Sequence, residues 1–542
     1  MNKTIFFCFS FFCLIKFQVY SAPVIVNGVL TSWTDASAKV IIPNTVNSIA
    51  DYAFADNTNI TEIVIPISVK SIGQSAFSGC ANLDSISLGD SLTNIGALCF
   101  YSCAKLRTIK LPSTIKVVNN YTFDSCTSLK TIFFNDGLKQ IGEGAFQYCS
   151  AISELNFPKS LNTIGNSAFY SCSNIRTLNL DNIVILGASA FNGCTGVTDL
   201  TLSERMQAIN EFSFYGCQIS TLLIPNSICK IGKSAFSNCT SLQTVAIGEY
   251  TVNPSLVGTI YFDWDVFANC NKFEEMSLNK NFGSIYTVGA TNLKKVTISN
   301  QVTDIPKFAF YGITQITTIE IPNSVTSMGL GAFCGCTGLK SVKLPNSLNS
   351  ITEQLFTNCT SLDSIVVPAS YTKIERIAFM GCTSLRYVKL SSTISTINEA
   401  AFSGCTGVTT FVVQRSSPAE VFTNVFQNIP SSTSTLYVPA GSLNAYKTTG
   451  YWQWRSFGKI IEGNGPTGLN NIQNDFYITY SNKQITLKLS DSEPQTVLLM
   501  NIKGETLWSQ KVFGSVVIPT QTFEDGIYLI KTGSSVQKIL IH

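Results

Sequence analysis

Histidine is nearly missing from this chain: of 542 residues only the last, His542, is one. Ser-His-Asp and Cys-His arrangements need an imidazole as base, and His-rich zinc sites need several. Both are excluded. Charge is scarce as well: Asp, Glu, Lys and Arg make up 13% of the residues, with a formal net charge of +3. No strong field therefore draws nucleic acid or a membrane surface. No C-x-x-C pair occurs, and Cys334 and Cys336, one residue apart, suit neither a bridge nor zinc. No cofactor is implied. Long apolar runs are absent too, apart from Ile5 to Ile15, which is too short to span a bilayer. With Lys3 before it and Val19-Tyr20-Ser21-Ala22 after it, that run reads as a secretory signal over residues 1–21, cleaved near Ser21.

What is present is a repeat. Ile321 to Leu344, IPNSVTSMGLGAFCGCTGLKSVKL, recurs 23 residues later as LPNSLNSITEQLFTNCTSLDSIVV, and again as VPASYTKIERIAFMGCTSLRYVKL. A fixed period of this length means a stacked array in which each unit needs only its neighbours. The Phe of the A-F pair marks the units: Phe54, Phe77, Phe100, Phe123, Phe146, Phe169, Phe191, Phe214, Phe236, Phe267, Phe310, Phe333, Phe356, Phe379, Phe402 and Phe426. A degenerate unit, marked only by Leu293 to Ile298, lies between Phe267 and Phe310, giving about seventeen units over residues 46–435.

Each unit carries two signals. L-x-x-I-x-L, as in Leu106 to Leu111, ends in apolar–polar alternation and predicts a half-buried strand. A Pro usually follows and ends it, having no N–H for a ladder. I-G-x-x-A-F-x-x-C predicts a compact turn or single helical turn with Ile, Ala, Phe and Cys inward. Parallel stacking at ~4.8 Å per unit gives a curved rod of roughly 80 Å. Outward strand positions are then Thr108 and Lys110, Thr131 and Phe133, Glu154 and Asn156, Ser341 and Lys343, Tyr387 and Lys389. Phe133, Leu223 and Tyr387 stand out there among Ser and Thr, so they are the leading ligand-binding candidates, with Lys343 and Lys389 beside them. Each is open to the simpler reading that it only covers its neighbours on the sheet.

Thirteen cysteines share one repeat position: Cys80, Cys103, Cys126, Cys149, Cys172, Cys194, Cys217, Cys239, Cys270, Cys336, Cys359, Cys382 and Cys405. Asn57 and Ile313 occupy it elsewhere. One Cys per turn, interchangeable with Ile, argues for stacked buried thiols, although a secreted Cys-rich chain ordinarily argues for disulfides. The spacing from Cys239 to Cys270 is 31 residues, and the extra residues are placed around Thr259 to Asp265, with Trp264 as either a loop aromatic or a ligand contact.

Residues 22–45 form a leader and cap in which Trp33 covers the open core or stays exposed. Residues 436–462, with Trp452, Trp454 and Phe457, form a C-terminal cap. Residues 463–474 are a Gly/Pro linker, and seven short alternating strands in 475–542 suggest a small β-sandwich.

The recurring A-F-x-x-C-x-x-L with its I-P-x-S-V opening resembles the BspA-like, treponemal-type leucine-rich repeat over about residues 40 to 462. The closing segment Tyr437 to Lys447 is similar to how such arrays end. The implied fold is an α/β-type leucine-rich repeat solenoid, with a parallel sheet face and turns or short helices opposite. The tail resembles a type IX (Por) secretion sorting domain through Leu499 to Glu505, Gly526 to Lys531 and Lys538 to Ile541. That resemblance implies export across the outer membrane of a Gram-negative bacterium, recognition by the secretion machinery and surface display. The repeat resemblance implies an adhesin for host extracellular matrix proteins, glycans or other cell surfaces. The alternatives are a structural spacer without a ligand, and a glycosidase using Asp263 with Asp265 or Glu274 with Glu275. The non-enzymatic reading is preferred.

Overall fold

The computed structural model describes residues 23–248, 258–285 and 289–465, and further on most of seven strands between 476 and 541. The signal at residues 1–21 and most of the linker at 463–474 lie outside the described residues. The chain divides into a unit ending at Gly465 and a second beginning at Pro466.

In the first unit every L-x-x-I-x-L segment turns its apolar residues inward. Ile109 and Leu111 are buried while Thr108 and Lys110 face solvent. These strands pair in parallel and in register, Thr108 with Thr131 and Ile109 with Ile132. A residue of one coil therefore lies beside its counterpart one period on, and like side chains stack. The ladder lapses around Glu154 and Asn156, where a strand was expected and none forms. The lapse coincides with Phe134 and Phe157 at the strand end, bulkier than Leu111 or Leu180 in other coils.

The opposite side corrects the α/β expectation. The I-G segment is itself a second, two-residue parallel ladder, Ser48–Ile49 with Ser71–Ile72 and so on. Among the described residues the only helices, Leu443–Thr448 and Trp452–Arg455, lie after the repeats. The reason is in the turn. The residues two before and two after each spine Phe have positive φ, as Ser75 at 52° and Gly79 at 74° around Phe77. Left-handed residues on both flanks stop a helix. Instead, alternate N–H groups reach the next coil: Phe54 N donates to the Ala76 oxygen at 2.7 Å and Asp56 N to the Ser78 oxygen at 2.7 Å. Gly96 shows how closely coils approach, since a Cβ there would lie 2.4 Å from the Gly73 carbonyl carbon. The array is thus a parallel β-solenoid of stacked leucine-rich coils.

Its axis is the Phe stack. From Phe54 to Phe267 adjacent ring centroids are 4.8 to 5.9 Å apart with planes within 21°. The stack resumes from Phe310 to Phe402 at 5.0 to 5.6 Å. Burying so many rings is the chief stabilising term. At the N-terminal end Trp33 stacks on Phe54 at 5.6 Å, behind the hairpin Val24–Val26 and Val29–Ser32. At the other end Trp454 is buried against Phe426 and Phe411, its indole N–H on the Ala419 oxygen at 2.9 Å. Phe457 joins it, but Trp452, expected in the same cluster, is 63% exposed. The short helix Trp452–Arg455 turns residues two apart to different sides.

The second unit holds two antiparallel sheets. Phe476–Ser481, Gln484–Leu489 and Ser515–Pro519 form one, and Thr506–Val512, Gln495–Asn501, Gly526–Thr532 and Ser535–Ile541 the other. One buried cluster draws on both, including Ile485, Ile518, Leu499 and Ile530.

Candidate binding surface

Besides the short ladder, where Val117, Ile185 and Tyr261 are exposed, two surfaces of the solenoid carry exposed aromatic and apolar side chains. The first is the outward side of the long strands. Phe133 is 54% exposed and Leu223 38% exposed, and both point away from the core because Ile132, Leu222 and Ile224 point in. Lys343 is exposed and pairs with Glu320 of the preceding coil at 2.8 Å, and Lys389 is half-buried. Tyr387 corrects the sequence reading: it is buried, and burial pushes its phenol above the usual range. Its ladder neighbours Ser364 and Thr410 are small and leave room for the ring along the sheet. The face is also closed near this end. After Lys459–Glu462 the chain returns over it, and a Cβ on Gly465 would lie 2.7 Å from Val412.

Charge on this face is locally cancelled. Arg107 pairs with Asp84 at 2.9 Å, Lys39 with Glu62 at 2.9 Å and Lys295 with Glu275 at 3.2 Å. Such exposed pairs contribute little to stability, but they leave the surface nearly neutral. A depression of about 300 Å³ is lined by Gln243, Thr244, Lys272, Glu274 and Glu275. Both of its carboxylates are engaged, Glu274 with Lys294 and Glu275 with Lys295. Of the other acidic pair, Asp263 meets Lys230 at 3.6 Å.

Trp264 is 61% exposed, but not on an inserted loop. Tyr261–Phe262 pairs with Lys230–Ile231 in the short ladder, and the Trp264 oxygen accepts from Ser234 N at 3.0 Å. These are regular coil positions, so the extra residues fall between Gly248 and Ile260 rather than across 259–265.

The second surface is the turn ridge, which sequence reasoning passed over. Tyr52, Tyr101, Tyr148 and Tyr311 are 61%, 38%, 44% and 47% exposed there. The ring of Tyr148 meets Tyr170 of the next coil edge-on at 5.5 Å. Phe212 lies against Tyr215 at 6.0 Å and Phe308 against Tyr311 at 5.8 Å. Tyr121 lies over Gly144, where a Cβ would come within 2.3 Å of its ring. Its hydroxyl donates to Glu143, a bond that pushes the phenol up to about 12. The available signal was positional: these aromatics occupy places that other coils give to Gly, Ser or Asn.

Comparison with known proteins agrees with this architecture. The BspA type leucine rich repeat region matches residues 47–176, 174–288, 254–332 and 303–433. Among solved structures, a leucine-rich repeat protein from Bacteroides ovatus is 22% identical, covering 76% of this chain and 87% of its own, with a TM-score of 0.38. A leucine rich cell surface protein from Faecalibacterium prausnitzii is 22% identical over 72% of this chain and 92% of its own, at 0.28. The pneumococcal vaccine antigen PcpA is 15% identical over 81% and 95%, at 0.29. No curated protein matches. With the family pattern running through more than half of the chain, coil after coil, this protein belongs to the BspA type leucine rich repeat family.

Proposed function

We propose that this chain is a secreted, surface-displayed binding protein of the adhesion type, without enzymatic activity. The observation that carries this reading is the outward strand face. It presents Phe133 and Leu223 to solvent from coils whose inward side chains are fully packed. A partly exposed aromatic on a rigid, neutral, multi-coil surface is a common interface anchor. Three of the four carboxylates that would serve a glycosidase, Asp263, Glu274 and Glu275, are instead tied to lysines. Host matrix proteins, glycans or other cell surfaces are the partners in view. The second unit serves as a sorting tail in this reading, its two sheets packing as a sandwich.

The test is an array of matrix proteins and glycans probed with the full chain and with Phe133→Ser. Affinity should fall by about tenfold with little change in thermal midpoint, since Phe133 lies outside the Phe stack. Phe146→Ala, which opens the stack between Phe123 and Phe169, should by contrast cost about 3–5 kcal/mol. Self-association with no partner bound would favour a structural spacer. Removing residues after 465 should leave the array folded but undisplayed, and normal display of that truncation would refute the sorting role.

A further inference from the structure

We infer that the turn ridge around Tyr101, Tyr121, Tyr148 and Tyr170 is a second binding site, separate from the strand face, and that it takes a neutral polysaccharide. The inference deepens the binding-protein reading and rests on it.

Backbone conformation carries the argument. Two residues past each spine Phe the chain is left-handed, and Gly, Asn, Ser or Asp takes that place in every other A-F coil: Asp56, Gly79, Ser102, Ser125, Ser171, Gly193 and so on to Asn428. Tyr148 alone puts an aromatic there, at φ 59°. A bulky residue in this region is strained. Burial does not offset the strain, because Tyr148 is 44% exposed. Tyr121, two before its spine Phe, is held at φ 56°. The fold therefore keeps the Tyr148 ring on the ridge at a place that a small residue fills in every other A-F coil. The four ridge tyrosines come from four consecutive coils, one ring from each, and Tyr148 meets Tyr170 of the next coil at 5.5 Å, so the ridge offers more than one ring to an extended partner.

The chemistry around the rings selects the partner. From three before to two after the spine Phe, these coils carry Asn120, Ser125, Gln147, Asn166 and Ser171, and no Lys or Arg. An anionic polymer finds no cation there. A peptide finds no backbone donor to extend a ladder, because the N–H groups are already used: Tyr121 N on the Glu143 oxygen at 2.7 Å, Ser125 N on Gln147 at 2.8 Å, Tyr148 N on Tyr170 at 2.7 Å. What remains is ring faces with hydroxyls, amides and the carboxylates of Asp124 and Glu143 beside them, and these carboxylates repel an anionic polymer and accept from hydroxyls. A pyranose presents the complement, an apolar C–H face rimmed by hydroxyl groups, and Tyr offers an apolar body with a polar tip.

The probes are an immobilised β-glucan, a mannan and a galactan, with heparin as the anionic control, against the full chain, Tyr148→Gly, Tyr148→Gly/Tyr170→Ser and Phe133→Ser. At least one neutral polymer should bind with little dependence on salt. Tyr148→Gly should weaken it by about tenfold or more while the thermal midpoint stays or rises, since Gly adopts this φ freely. Phe133→Ser should leave it unchanged. Binding to heparin alone, or neutral binding that survives the double variant, overturns the assignment. If a matrix protein is held through Phe133 while no neutral polymer binds, the ridge site falls and the binding-protein reading stands. If neither is held, both fall.

Discussion

The thiol of Cys149 donates to the carbonyl oxygen of Phe123, one coil earlier, at 3.0 Å. The same bond recurs at all thirteen ladder cysteines, from Cys80 on Phe54 to Cys405 on Phe379, at 3.0 to 3.7 Å. Each spine Phe carbonyl also accepts the N–H three residues on, as Cys126 N on the Phe123 oxygen at 3.2 Å. The thiol adds a second, weak donor on a small apolar side chain. Asn57 fits the same rule, its amide reaching the Trp33 oxygen at 3.5 Å, with Trp33 standing where a preceding Phe would be.

Thiols used in this way are neither paired with one another nor open to solvent. Alkylation of the native chain should therefore modify Cys229, which is exposed, and leave the ladder untouched until denaturant is added. Mass spectrometry of trapped peptides reads the result, and bridges between adjacent coils would overturn it. Cys149→Ala, which removes the second donor to the Phe123 oxygen but leaves the Cys126 N–H on it, should destabilise by about 0.5–1.5 kcal/mol.

The ladder also sets an alkaline limit. Burial raises most of the ladder thiols, Cys80, Cys194 and Cys336 to about 12, while Cys270 is lowered by its hydrogen bond with Cys239. An unfolded thiol ionises near 8.5. Folded pKa values above unfolded ones mean that the native state holds protons the unfolded state has lost. The thiol contribution is thus whole below about pH 8.5 and declines as pH rises toward the folded values. Denaturant midpoints should be level from pH 6 to 8 and fall by pH 10, with a shallower fall when several ladder positions are changed to Ala.

The period, the Phe stack and the buried Cys column were legible in the sequence because each is a single residue type recurring once per coil. The second ladder was not, since two residues such as Ser71 and Ile72 are too few to show alternation. Nor were the paired left-handed turns, because non-glycine residues as different as Ser75, Leu98 and Tyr121 all adopt them under pressure from neighbouring coils. Tyr387 and Phe133 look alike in sequence, at outward positions of a strand. They differ because Tyr387 lies between the small ladder neighbours Ser364 and Thr410, on a face the returning chain reaches at Val412, facts about other coils that no local pattern carries. Tyr148 was legible in principle, as the sole aromatic in a column of small polar residues, but only once that column had a conformational meaning.

Lys280 shows how the array tolerates its insertion. In regular coils the hydroxyl of I-P-x-S or its Thr equivalent donates to a carbonyl one coil back: Ser324 to Val302 at 2.7 Å, Ser160 to Leu138 at 2.6 Å, Thr393 to Tyr371 at 2.7 Å. Ile228 occupies the accepting place in its coil, where the extra residues after Gly248 break the regular spacing. The ammonium of Lys280, fully buried, takes over, reaching the Ile228 oxygen at 3.1 Å and the Asn226 oxygen at 2.7 Å. Burial lowers its pKa, while the Cys229 thiol nearby works the other way. Lys280→Met keeps the aliphatic stem but strands both carbonyls, so it should cost about 2 kcal/mol or more. The same change at exposed Lys343 should cost less than about 1 kcal/mol. Hydrogen exchange should then quicken at the amides of coils 221–248 and 258–278, with protection of the coils around Phe77 and Phe379 intact, because a repeat array couples chiefly through its nearest neighbours. Equal stability of the two Lys→Met variants would mean that water, not the ammonium, serves those carbonyls.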